Sequence, residues 1–146
     1  MISEFKKQYF FLSNFYNRSI KYNGVRFRNS ECAFQAQKCP ERVNEFTDIP
    51  PNEGKSLGRK VPLRKDWDKV KDNIMYEIVK EKFTQHEDLK RRLLETGDEE
   101  LQEGNGWYDT YWGVDIHTGK GLNMLGKILM RIREELRKDG LKNDKI

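Results

Sequence analysis

Two helical stripes constrain this chain more than any other feature of it. Trp67, Val70, Ile74, Ile78, Val79 and Phe83 recur at the three- and four-residue spacing of one helix face. Leu122, Leu125, Leu129, Ile132 and Leu136 repeat the pattern nearer the C-terminus. A helix with one apolar face must bury it against another element. Asp66 is placed to cap the first of these helices and Gly121 to open the second. A shorter helix is predicted from Glu87 to Glu95, stopped at Thr96-Gly97. These apolar side chains are read as core and assigned no chemistry.

The rest of the chain supplies something for those helices to cover. Ile20-Lys21-Tyr22 and Val25-Arg26-Phe27 alternate apolar and polar across Asn23-Gly24, a strong short hairpin signal. Tyr9-Phe10-Phe11-Leu12 is predicted to be a buried strand that breaks at Ser13-Asn14. Ser30 reads as the N-cap of a short helix from Glu31 to Lys38, stopped by Pro40. Gly54 to Arg59 reads as a helical turn ending near Gly58, and Leu101 to Trp112 as loop and short strand. The predicted fold is α+β, a mainly helical single domain packed on a small antiparallel sheet. The domain is expected over residues 1–138, with a frayed polar tail at 139–146.

Composition narrows the function. The 146 residues include 8 Phe, 6 Tyr and 3 Trp, enough aromatic surface to oppose disorder despite a charged fraction of 36%. The formal charge of +4 suits an anionic small molecule or weak nucleic-acid contact, and not a dedicated DNA-binding module. Cys32 and Cys39 are too few for a disulfide framework, and neither they nor His86 and His117 have zinc-ligand spacing, so no metal is expected. No secretory leader and no run of membrane-spanning length is visible, which points to the cytoplasm.

Five blocks then stand in order along nearly the whole chain. They are Phe11-Leu12-Ser13-Asn14-Phe15-Tyr16; Glu31-x-x-x-Gln35-x-x-Lys38; Gly58-Arg59 with Arg64-x-Asp66-Trp67-Asp68; Asp109-x-x-Trp112-Gly113; and Gly121-x-Asn123-x-Leu125-Gly126-x-x-Leu129-Met130-x-x-Arg133. The ordered set resembles the NADAR family, the YbiA-like N-glycosidases. That resemblance implies hydrolysis of a bond between ribose C1 and an exocyclic amine, without a cofactor. Two substrate classes are implied: phosphorylated ribosylamino-pyrimidines of riboflavin synthesis, and ADP-ribose attached to guanine, free or in DNA or RNA. Neither a membrane nor an obligate protein partner is implied.

The residue types fit such chemistry. Glu31, Gln35 and Lys38 fall at i, i+4 and i+7, one polar stripe in which carboxylate and amine stand roughly 10 Å apart along a helix. Two routes are open. In one, a carboxylate stabilises an oxocarbenium-like ribose while an acid protonates the leaving amine. In the other, the sugar ring opens and a neutral lysine forms a Schiff base at C1. Lys38 is the favoured nucleophile, with Glu31 or Asp115 moving protons. Asp115 stands where the family pattern has glycine. Trp112 offers a face on which a base could stack, and Asn14, Gln35, Arg59, Asp109 and Asn123 are further candidate substrate contacts. Gly119-Lys120-Gly121, ahead of a helix, could receive phosphate, as could Arg59, Arg64 and Lys65. The rival reading is a module that binds ADP-ribose or a nucleotide without cleaving it.

Overall fold

Asn23 and Gly24 adopt φ of 50° and 79°, the two left-handed residues that a tight hairpin turn requires. They join β1 (Ile20–Tyr22) to β2 (Val25–Phe27) in antiparallel register, Ile20 opposite Phe27 and Tyr22 opposite Val25. The computed structural model describes residues 1–144, with side chains to residue 141. A 3-10 helix (Lys7–Leu12) precedes the hairpin. After it come α1 (Ser30–Ala36), a second 3-10 helix (Pro40–Phe46), α2 (Pro51–Gly58), α3 (Trp67–Gln85) and α4 (Glu87–Glu95). The short strands β3 (Gly104–Asn105) and β4 (Val114–Asp115) lead into α5 (Met124–Asp144). Two compact units result: residues 14–85 form one, residues 1–13 with residues 86 onward the other.

In the first unit every residue of α1 is buried, so α1 is a central helix and not a surface one. Asn29, and not Ser30, caps it: Asn29 Oδ1 accepts from the Cys32 amide at 2.8 Å, while Asn29 Nδ2 donates to the Ile49 carbonyl at 3.3 Å. The helix also ends earlier than predicted, at Ala36, and closes in a tighter turn with the Gln37 and Lys38 amides donating to Phe34 and Gln35. Close approach of α2 is possible because Gly54 and Gly58 lack side chains. A Cβ on either would overlap Cys32 Sγ or Gln35 Oε1 of α1. From α3, Trp67, Ile74, Met75, Ile78, Val79 and Phe83 are buried as the stripe requires, and Val70 is half-buried.

The second unit corrects the predicted N-terminal strand. Tyr9 to Leu12 is 3-10 helix and not strand, with the Tyr9 and Ser13 amides donating three residues back to Lys6 and Phe10. Phe11 and Leu12 are both buried while Phe10 is 39% exposed, a pattern that does not alternate; four apolar residues alone cannot distinguish a helical turn from a strand. The Arg92 guanidinium of α4 lies over the Phe11 ring at 4.1 Å and donates to the Gln8 carbonyl. The sequence also offered no sign that β3 and β4 pair in parallel, Gly104 with Val114 and Asn105 with Asp115.

α4 ends as predicted, with Gly97 at φ 63°. Arg133 of α5, only 6% exposed, donates to Thr96 Oγ1 and the Glu99 carbonyl just beyond that end. α5 begins at Met124 and buries Leu125, Ile128, Leu129, Ile132 and Leu136; Leu122 precedes it and is exposed. The helix continues to Asp144, so residues 139–144 are helical where a frayed tail was expected; residues 145–146 lie outside the described residues. Among the described residues no helix is long and apolar enough to cross a membrane.

Candidate functional site

The first unit carries the carboxylate, the amide and the amine of the second motif. Glu31 lies in the first turn of α1, where the helix dipole favours negative charge, and it is 8% exposed. Gln35, one turn on and 6% exposed, donates from Nε2 to Glu31 Oε1 at 3.0 Å. Lys38 is off the helix, in the turn that follows it, and half-buried. Its carbonyl accepts from the Arg64 amide at 3.0 Å, and its ammonium lies 5.9 Å from the centroid of the Trp67 ring.

Burial holds the Lys38 ammonium below the ordinary lysine value. The charge of Glu31 opposes that shift, and Arg59, Lys55 and Lys71 add to it. Arg59 and Lys55 come from the end of α2, which the Gly54 and Gly58 contacts bring against α1. Lys71 comes from α3, with Asp68 at 3.3 Å. A half-buried amine of reduced basicity, with a carboxylate and three further cations within electrostatic reach, can act as a nucleophile beside a bound anion.

The other candidates in this unit are occupied. Asn14 accepts from Ser30 Oγ through Oδ1, directs Nδ2 at Met75 Sδ and takes the Glu31 amide on its carbonyl, so it seats the start of α1. The Arg64 guanidinium pairs with Asp66 at 2.6 and 3.1 Å. Lys65 is exposed. The Cys32 thiol, pushed up to about 11 mainly by burial, is a poor nucleophile.

In the second unit the fourth motif is a scaffold of side chains bonded to backbone. Asn105 Oδ1 accepts from the Trp107 and Asp109 amides, and Asp109 Oδ1 accepts from those of Tyr111 and Trp112 at 3.2 and 3.0 Å. Trp112 is half-buried and meets Tyr111 edge-on, centroids 4.9 Å apart. Asp115 Oδ1 accepts from the His117 and Thr118 amides. Asn123, at φ 52°, accepts from the Glu103 amide and donates to the Leu101 carbonyl. The amides of residues 122–125 donate to carbonyls of residues 110–113. The entry to α5 is thereby satisfied by its own chain, which removes the reason to expect phosphate there.

Among the described residues no three His, Cys, Asp or Glu side chains gather as a metal site. A family model described as the NADAR domain matches residues 2–137. The chain belongs to the NADAR family. Its NADAR relatives include "N-glycosidase Npun_R5314" of Nostoc punctiforme, 41% identical over 134 residues that cover 86% of this chain and 84% of that protein. "Riboflavin biosynthesis protein VVA0006" of Vibrio vulnificus is 40% identical over 131 residues, 86% of this chain but 35% of that larger protein. The solved structure of the E. coli protein YbiA superposes with a TM-score of 0.83 at 36% identity, covering 97% of this chain and 89% of that one. This NADAR chain has the α+β fold of that structure, and its activity is that of an N-glycosidase.

Sequence reasoning missed Lys55, Lys71 and the paired glycines. The spacing Gly54-x-x-x-Gly58 was the available signal, since two glycines one turn apart leave a bare groove on a helix.

Proposed function

We propose that this NADAR N-glycosidase cleaves the C1–N bond of phosphorylated ribosylamines of the ribosylamino-pyrimidine class, using residues 1–138 as its catalytic domain and Lys38 as nucleophile. The half-buried Lys38 amine, lowered in basicity beside Glu31, carries this reading. The exocyclic nitrogen pushes out the ring oxygen, which takes a proton from water, and a protonated imine is left at C1. The neutral amine adds there. Glu31 takes the proton released from Lys38 and passes it to the departing amine, whose bond to C1 then breaks. Water hydrolyses the remaining Lys38 imine and frees the sugar aldehyde. Arg59, with Lys55 and Lys71, faces the phosphate. Asp109, Asp115, Asn14 and Asn123 shape the backbone. The Vibrio relative's name favours a riboflavin intermediate over ADP-ribosylated guanine.

The test offers a ribosylamino-pyrimidine phosphate and a guanine-linked ADP-ribose oligonucleotide side by side, in excess chelator. Release of sugar phosphate from the first is expected. Cleavage of the second alone would move the substrate to ADP-ribosylated guanine, and binding of both without product would defeat the catalytic reading.

A further inference from the structure

The Gln35 amide is an oddity in an otherwise well-bonded helix. Its nitrogen serves Glu31, but its carbonyl oxygen is buried without a hydrogen-bond partner and packs against Gly58 of α2. A buried acceptor left without a partner costs free energy and asks for a reason. Turned over, the amide would set its oxygen against a Glu31 oxygen at 3.0 Å, a contact that works only with a proton on the carboxyl, whereas the observed orientation serves the ionised form. The observed orientation requires Glu31 to be an acceptor. It also requires residue 58 to have no side chain, because a Cβ there would overlap Gln35 Oε1 and stand 2.8 Å from its Cδ.

We propose that Gln35 is a positioning residue that holds Glu31 ionised and in one rotamer, and that Gly58 is the feature of α2 that permits it. The proposal rests on the reading of Glu31 as the proton-carrying carboxylate. It replaces the expectation that Gln35 touches substrate. Cys32 and Lys38 both feel the charge of Glu31, and Arg28, which follows the hairpin, acts on Cys32 as well. Lys55 and Arg59 from α2 and Lys71 from α3 act on Lys38. None of these changes in the variants below.

The experiment measures kcat and KM against pH for Gly58→Ala, Gln35→Met, Gln35→Ala and the double variant Gln35→Ala/Gly58→Ala, with Glu31→Gln as reference. Gly58→Ala is expected to lower kcat about tenfold with KM within about twofold, the signature of a displaced catalytic group. The acidic limb of kcat should move to higher pH, because the carboxylate has lost its donor. In the double variant the second change should cost nothing further, the amide it displaces being gone. A raised KM with unchanged kcat would make Gln35 a substrate contact and overturn the proposal, as would an unmoved acidic limb or additive losses. Should Gly58→Ala fail to fold, Gln35→Met carries the same kcat and pH readouts. Full activity in Glu31→Gln would defeat the reading of Glu31 itself. An inactive Glu31→Gln beside a normal pH limb in Gln35→Met would defeat only the positioning role.

Discussion

The Lys38 ammonium sits 5.9 Å from the centroid of Trp67, the first residue of α3, and the same ring tilts against Phe34 of α1 at 5.1 Å. One aromatic therefore joins the core to the proposed nucleophile. Its π face favours the charged amine by about 0.5–1 kcal/mol, while burial around it disfavours that charge, and burial prevails. Trp67→Leu should lower stability by about 2–3 kcal/mol, as for a large buried side chain reduced, measured by urea denaturation. It should also lower kcat in the folded fraction, because Lys38 loses the surface it rests on. Trp67→Phe, which keeps a ring, should restore most of that activity; equal losses in both would sever ring from nucleophile.

A Schiff base leaves a chemical record. Borohydride added during turnover should fix a sugar adduct on Lys38, read by mass spectrometry of the digested protein. Lys38→Arg should lose about 100-fold or more in kcat, since a guanidinium stays charged and forms no imine. Because the Lys38 value is lowered, the neutral amine grows as pH rises from neutrality, and trapping should increase in that direction. Substantial activity in Lys38→Arg with no adduct on the parent enzyme would leave the direct route, with Glu31 stabilising the oxocarbenium-like state.

Lys82 links pH to stability. It is 3% exposed in α3, its ammonium is 5.1 Å from the Phe83 ring centroid, and burial lowers it from 10.5 to about 7. In the unfolded chain the group returns to its ordinary value, so between about pH 7 and 10 the unfolded state holds the extra proton. Stability from this group therefore rises with pH across that window, and its full burial penalty is felt below it. Lys82→Met should raise the unfolding free energy at pH 6 by on the order of 1–3 kcal/mol, measured by urea denaturation, with the gain shrinking toward pH 10. A gain independent of pH would mean that the stabilisation comes from packing alone.

Trp112 is half-buried and edge-on to Tyr111, with its amide held by Asp109. If a substrate base stacks on its ring, Trp112→Ala should raise KM by about 1–3 kcal/mol equivalent while the circular dichroism spectrum stays that of the parent. An unfolded or aggregated variant would return the residue to a purely structural role.

Local chemistry alone determined the hairpin at Asn23-Gly24, the reach of α4 to its stop at Thr96-Gly97, the buried faces of α3 and α5, and the ordered blocks that carry the family. Turn residues and helical periodicity act over a few neighbours, so they can be read without the fold. Lys38 was identified by its motif, but it lies in the tighter turn that closes α1 at Ala36 and not on the helix. Its lowered basicity depends on burial and on the cations Arg59, Lys55 and Lys71, which no local pattern contains. Asn14, Asp109 and Asn123 read as substrate contacts and Asp115 as a proton carrier because they are polar residues in motifs; in the folded chain Asp109, Asp115 and Asn123 bond backbone groups and Asn14 bonds the Ser30 and Met75 side chains. The Gln35–Gly58 contact is the clearest case. Sequence lists an amide and a glycine 23 positions apart; only the close approach of two helices makes the missing side chain of one the condition for the other's orientation.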